Sequence, residues 1–232
     1  MHLLRDDLQW LRELPWGNDP EAWIRAGGST IKRSASRFAF IWPGERPVFI
    51  KRYLSRRIGA RWLSWIRGTK SAREARILLR LRSKAIAAPE PLAVVTPAVS
   101  FGRRANYLVE ELLSGHDVFE AARSSPPGPG TLLASIAGDL GALLARMHSI
   151  GFFHPDTSLH NFFLHEPSRT LYAIDVDDGR FFPGLLVYHR RKNLSQIIRS
   201  GGRLTDEENW INRVRETYAS CSGVPLEAIA LP

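Results

Sequence analysis

From Thr131 the chain runs through LLASIAGDLGALLARMHSIG, in which Leu133, Ile136, Leu140, Leu143, Leu144 and Met147 recur at helical spacing. It then passes directly into FFHPDTSLHNFFL and, shortly afterwards, into LYAIDVDDGR. A helix with one apolar stripe must bury that stripe against other elements. A loop rich in Asp, His and Asn is thereby pinned to the helix C-terminus, and a strand ending in Asp175 follows it. This order constrains the fold more than any other part of the chain.

The residues before Thr131 read differently. STIKRSASRFAFIW and RPVFIKRY are rich in β-branched and aromatic residues and flank a turn at Pro43 and Gly44, which predicts a hairpin. SAREARILLRLRSK predicts a helix ended near Pro89. PLAVVTPAVSF and NYLVEELL predict two further strands, and SSPPGPGT is a loop by composition. FFLHEPSRTLYAIDV predicts a second hairpin, and LSQIIRS and DEENWINRVRETY predict closing helices. Strands first and helices later give an α+β chain of two lobes. The lobes are residues 1–113, with the sheet, and residues 114–232, mostly helical, joined near Leu112 to His116.

With 232 residues, 44% hydrophobic and 24% charged, the chain can bury a sizeable core and is not of disordered composition. Its single cysteine, Cys221, cannot form an internal disulfide, which fits a reducing compartment. The opening MHLLRDDLQWLRELPW carries scattered charges and reads as no signal peptide, so the expected compartment is the cytoplasm. No stretch approaches the ~20 apolar residues that cross a bilayer. The net charge is +9, and its location matters more than its size. Residues 51–73 hold eight of the 32 Lys and Arg and no acid, leaving 24 basic against 23 acidic residues elsewhere. Such a patch seeks an anionic partner or a solvated face.

The loop places His154, Asp156 and Asn161 in an H-x-D-x-x-x-x-N spacing, and Asp175 follows at a strand end. Phosphoryl transfer needs an acceptor hydroxyl oriented by a carboxylate, and cations over the β- and γ-phosphate oxygens of ATP. Asp156 suits the first task; Asn161 and Asp175 suit the second by holding Mg²⁺ through hard oxygen ligands. Taken alone the spacing is weak, because Asp and Asn populate ordinary loops. Two further residues strengthen it. Lys51 lies in the strand VFIKRY, where a kinase pairs the α- and β-phosphates. Glu74 shares a helix face with Leu78 and Leu81, so its carboxylate points inward and needs a cation; Lys51 is the natural one. The plain alternatives are an edge-strand lysine that discourages aggregation and a solvated helix charge. Five residues in this order are harder to produce by chance.

These stretches resemble the lipopolysaccharide core kinases, the Kdo and heptose kinases of Gram-negative bacteria, within the protein-kinase-like superfamily. The resemblance rests on VFIKRY, REARILLRLRSKAIAAPEPLAV, HPDTSLHNFFL, AIDVDDGR and RRKNLSQIIRS. It implies a protein-kinase-like fold, with a small antiparallel-sheet N-lobe and a reduced C-lobe. It also implies ATP as donor, Asp156 as the catalytic aspartate, Asn161 and Asp175 as metal ligands, and Lys51 with Glu74 as the phosphate-anchoring pair. The acceptor would be a sugar of a lipid A-linked glycolipid, at the cytoplasmic face of the inner membrane. Three departures leave a catalytically degenerate relative open. Pro155 precedes Asp156, Asp177 can share the metal role, and no G-x-G-x-x-G is present.

Only 54 residues follow Asp178 and no A-P-E motif occurs, which disfavours a protein kinase. Polycationic aminoglycosides would be repelled by the basic segment. In that segment Leu54, Ile58, Trp62 and Trp65 or Ile66 recur at helical spacing, with Arg56, Arg57 and Arg61 among them. Tryptophan with arginine suits an anionic membrane surface; a partly buried helix with a solvated basic face is the alternative. Nucleic acid is not expected as a partner, since no nucleic-acid-binding motif accompanies the patch.

Overall fold

The computed structural model describes residues 2–3, 6–16, 20–33, 37–44, 46–55, 68–96, 104–125, 131–166, 168–205 and 208–229. The chain forms two compact units, one of residues 1–80 and 89–113 and the other of residues 81–88 and 114–232.

The first unit is built on a six-stranded antiparallel sheet. Its strands are β1 (His2–Leu3), β2 (Ser29–Arg33), β3 (Arg37–Trp42), β4 (Val48–Ser55), β5 (Pro91–Val95) and β6 (Arg104–Glu111), in the order β1-β5-β6-β4-β3-β2. The run STIKRSASRFAFIW, expected as one arm of a hairpin, is split into β2 and β3, which pair with each other. The polar stretch after Ile31 breaks the apolar alternation that a single long strand would need. Strand β4 shows why the sheet forms. Val48 and Ile50 are fully buried on one face, and Phe49, Lys51 and Tyr53 take the other. Opposite, β6 sends Ala105, Tyr107 and Val109 into the same core. A short 3-10 helix (Asp6–Glu13) and helix α1 (Pro20–Arg25) close that face, bringing Leu8, Leu11 and Trp23 into it. Trp23 sits 4.4 Å from the Phe40 ring, and Trp16 lies 5.0 Å from Tyr107.

Helix α2 (Lys70–Ser83) starts where Thr69 Oγ1 accepts from the Ala72 amide at 3.2 Å. It ends at Ser83, within a residue of the expected segment SAREARILLRLRSK. Ala85 adopts a left-handed φ of 55°, and the Ile86 amide reaches back to the Leu81 carbonyl at 3.0 Å. That is a reverse-turn cap of the kind usually made with glycine.

In the second unit, helix α3 (Val118–Arg123) and helix α4 (Leu132–Ser149) are followed by α5 (Val187–Gly201) and α6 (Glu208–Ser222). The six apolar residues of α4 named from the sequence are all buried. A Cβ on Gly141 would fall 2.5 Å from the Val214 carbonyl oxygen, so the glycine lets α6 lie directly against α4. Strands β7 (Gly115–Asp117), β9 (Phe162–His165) and β10 (Thr170–Ala173) form a three-stranded sheet. β8 (Phe152–Phe153) pairs with β11 (Arg180–Phe181). The loop of interest therefore leaves α4 through β8 and enters β9, with both of its ends in sheet structure.

Candidate functional site

In the first unit, the period of two puts Lys51 and Tyr53 on the same face of β4, towards α2. Lys51 Nζ lies 2.7 Å from Glu74 Oε1, as the sequence leads one to expect. Tyr53 donates its hydroxyl to the other oxygen of Glu74. A second carboxylate, absent from the sequence reading, joins them: Glu110 Oε1 on β6 is 3.2 Å from Lys51 Nζ. Glu74 is 0% exposed and Glu110 2%, so one lysine serves two buried acids. Asn106, on the same face of β6 as Glu110, sets the helix against the sheet. Its Oδ1 accepts from the Ser71 amide at 3.1 Å, and its Nδ2 donates to the Tyr53 carbonyl at 3.3 Å. Glu110 was hidden in the apolar run NYLVEELL, where a carboxylate at an alternate strand position was the available sign of an inward-facing acid.

In the second unit, the loop 154–161 folds on itself. The Ser158 amide donates to Asp156 Oδ1 at 3.1 Å, which restrains the carboxylate of an exposed side chain. Asn161 Nδ2 donates to the Asp156 carbonyl at 2.9 Å, so Asn161 Oδ1 points away from the loop backbone. The Ile174 amide donates to the Asn161 carbonyl at 3.0 Å, which ties the loop to the residue before Asp175. Asp175 has φ 53°, a left-handed backbone that Ala85 and Arg169 also adopt and that aspartate tolerates better than most side chains. His154 completes the tie. Its Nδ1 accepts from the Asp156 amide and its Nε2 donates to the Ile174 carbonyl, both at 3.2 Å. Burial holds His154 below the ordinary imidazole range, against the raising effects of the Ile174 bond and of Asp175, Asp156 and Asp177. A neutral ring with one donor and one acceptor is what this bridge requires.

Behind the loop stands a set of residues from the stretch RRKNLSQIIRS, to which spacing alone assigns no task. Asn193 Nδ2 donates to the His154 carbonyl at 2.6 Å. Gln196 Nε2 donates to the Pro155 carbonyl at 2.8 Å, while its Oε1 accepts from the Thr157 amide at 3.2 Å. Ser200 Oγ accepts from the Leu159 amide at 3.1 Å. These three residues, spaced i, i+3 and i+7, form one stripe of α5, so one helix face grips the loop. Asn193 is itself held. His148 Nε2 donates to Asn193 Oδ1 at 3.0 Å, Tyr218 OH donates to His148 Nδ1 at 2.8 Å, and Arg190 Nη1 donates to the Tyr218 oxygen at 3.0 Å. Burial pushes His148 down to about 4, outweighing the raising effect of the Asn193 bond, and burial also raises Tyr218. The result is a directed chain of donors from Arg190 to the His154 carbonyl. His160, next to Asn161, stacks on Phe119 at 4.2 Å and reaches Asp117 Oδ1 at 3.3 Å. Asp117 Oδ1 also caps α3 through the Glu120 amide at 2.9 Å.

Arg56, Arg57, Arg61, Trp62 and Trp65, the expected membrane or substrate patch, lie outside the described residues. Leu54 belongs to β4, which runs to Ser55, so the helical series read from Leu54 onwards cannot begin there. Among the described residues no group of three or more His, Cys, Asp or Glu side chains could hold a metal ion by itself. One carboxylate and one amide oxygen fit Mg²⁺ that arrives with phosphate oxygens and water, since this ion takes few protein ligands.

Comparison with known proteins places these observations. The chain is 29% identical over 150 residues to a 3-deoxy-D-manno-octulosonic acid kinase of Photobacterium damsela subsp. piscicida, covering 61% of this chain and 59% of that protein. The chain thus spans less than two thirds of that relative's length. Against the 3-deoxy-D-manno-octulosonic acid kinase of Xanthomonas campestris pv. campestris (strain B100) it is 26% identical over 208 residues, covering 89% of this chain and 69% of that one. A solved structure of WaaP in complex with acyl carrier protein matches with a TM-score of 0.67 and 20% identity, over 99% of this chain and 92% of that chain. The α+β fold is therefore the protein-kinase-like fold. The description "Lipopolysaccharide kinase (Kdo/WaaP) family" matches residues 47–218, from β4 into α6. The chain belongs to the lipopolysaccharide kinase (Kdo/WaaP) family.

Proposed function

We propose that the protein is an ATP-dependent kinase that phosphorylates a sugar hydroxyl, of Kdo or heptose, in the lipopolysaccharide inner core at the cytoplasmic face of the inner membrane. The observation that carries the reading is the loop in which His154 and Asn161 each bond both to Asp156 and to Ile174, the residue before Asp175. Family membership supports the same reaction class.

In this reading Asp156 Oδ2 accepts the hydrogen bond of the acceptor hydroxyl and takes its proton as the phosphoryl group transfers. Asn161 Oδ1 and Asp175 would hold Mg²⁺, which when bound neutralises phosphate charge. Asp175 is the more accessible of the two carboxylates of the DVD tripeptide, since Asp177 is 5% exposed. Lys51 would anchor the α- and β-phosphates, with Glu74 and Glu110 fixing its ammonium. Pro155 does not disrupt the loop: its carbonyl is held by Gln196, and the next amide is satisfied by His154. The net charge of +9 favours an anionic acceptor over a cationic one.

The test is transfer from labelled ATP to a deep-rough lipopolysaccharide extract in the presence of Mg²⁺. Acceptor-dependent labelling is expected, and Asp156→Asn should reduce its rate on the order of 10²-fold or more while nucleotide binding persists. Labelling that is absent, or equal in Asp156→Asn, would refute the reading.

A further inference from the structure

The basic residues are concentrated in a second place besides residues 51–73. Residues 179–205 hold six Lys and Arg and no acid. This stretch is β11, a loop and helix α5, and it exposes three consecutive apolar residues. Leu186 is 67% exposed, Val187 44% and Tyr188 69%. Single exposed apolar residues are ordinary, but three in a row at a helix start are not. The helix does not need them for its own packing, because its buried face is made by Asn193, Leu194, Ile197, Ser200 and Gly201. Nor is the segment loose. The Phe182 amide donates to the Gly151 carbonyl at 2.9 Å, and the Phe182 ring stacks on His189 at 5.0 Å.

The charges around the three residues are of one sign on α5 and β11. Arg180 and Arg191 are exposed, and Lys192 Nζ lies 5.5 Å over the Phe153 ring. Arg191 also donates to the Ala228 carbonyl at 2.9 Å, which places the exposed Glu227 at the rim. Asp178, which precedes β11, is also exposed.

We infer that this surface docks on an anionic lipid bilayer, with Leu186, Val187 and Tyr188 entering the headgroup boundary and Arg180, Arg191 and Lys192 meeting lipid phosphates. The three exposed apolar side chains adjoin cations, and a bilayer boundary takes up such a strip without a shaped complement, its phosphates meeting the cations. Tyrosine at the edge of an apolar cluster, with cations beside it, suits the headgroup level. The inference deepens the function proposed above and rests on it for its purpose. Tyr188 and Asn193 lie on one helix, ~8 Å apart along its axis at 1.5 Å per residue. Because Asn193 and Gln196 grip residues 154–157, docking the start of α5 fixes the height of the Asp156 loop above the lipid, where a lipid-tethered sugar is presented.

The full chain supplies the test, since Cys221 is its single cysteine and is exposed. In a Cys221→Ser background, Val187→Cys is labelled with a polarity-sensitive fluorophore. Vesicles of phosphatidylcholine with phosphatidylglycerol should shift its emission to the blue, and phosphatidylcholine alone should not. In parallel, Leu186→Ser/Val187→Ser/Tyr188→Ser should lower partition onto the anionic vesicles by about tenfold or more, with an unchanged melting curve because the replaced side chains are solvent-facing. A label that ignores anionic vesicles to which the chain binds overturns the inference. So does a label that responds to a small acidic protein and not to vesicles, or a triple variant that partitions like wild type. Phosphotransfer enters neither readout, so a failed kinase reading leaves this result standing.

Discussion

The two polar clusters of this protein are held by different physics. Around Lys51 the holding forces are charges: one ammonium faces Glu74 and Glu110, both nearly inaccessible to solvent. Around the loop 154–161 the anchoring from α4, α5 and α6 is by neutral donors and acceptors, with Arg190 entering at the far end of the chain of hydrogen bonds. A charged cluster suffers most when one member is removed, because the partner's buried charge is left uncompensated. A neutral network suffers most when one member is forced to take a proton. The comparison thus separates what mutation should break from what acid should break.

The largest effect is expected at the charged cluster. Lys51→Met leaves two buried carboxylates without their shared cation and should cost about 3–5 kcal/mol, read from denaturant unfolding. Adding Glu74→Gln should recover part of the loss. A cost below about 1 kcal/mol would mean that the other groups around the two acids satisfy them without the lysine.

Acid should act on the neutral network. His148 titrates near 4 when folded and near 6.5 when unfolded, so between those values the unfolded chain binds more protons. Stability is complete above about pH 6.5 and falls as the pH drops towards 4, by about 3 kcal/mol for this group. His154, also lowered by burial, adds in the same direction. Unfolding curves at several pH values should show the slope, and His148→Gln should flatten it. An unchanged slope in that variant would place the acid sensitivity elsewhere.

Asn193→Ala removes the donor to the His154 carbonyl and should cost about 1–3 kcal/mol. If Asn193 positions the loop, turnover should fall by tenfold or more while the KM for ATP holds; equal changes in both would reduce it to a structural residue. The smallest effect is expected outside both clusters. Thr131 caps α4 through the Ala134 amide, and Thr131→Ala should cost about 1 kcal/mol by thermal melting, with the pH slope untouched.

What could be read in advance follows the same division. Lys51 and Glu74 announced themselves because charges in apolar-patterned elements demand partners, and the distance of 2.7 Å answers that demand. The loop residues Asp156 and Asn161 were legible from spacing within one short stretch. Asn193, Gln196 and Ser200 were not, because each bonds to a residue 36 to 41 positions away and a neutral side chain in a helix carries no sign of its partner. The extent of α2 was legible too, since SAREARILLRLRSK spans residues 71–84 and the helix runs Lys70–Ser83. The division of STIKRSASRFAFIW into β2 and β3 was not, because no glycine or proline in that run marks a break.

Asp175 carries a consequence for anyone who engineers this chain. Its left-handed φ of 53° suits glycine better than any side chain. For the backbone alone, glycine at this position is favoured by about 1 kcal/mol and the β-branched Asp175→Val is disfavoured, which thermal melting of the two variants would read against the loss of the carboxylate's own interactions. A directed-evolution campaign scored on heat resistance alone would drift towards glycine at this position and discard the carboxylate. Screens of this protein need activity as a second score at residue 175, because there the most comfortable backbone and the carboxylate proposed to hold the metal belong to different amino acids.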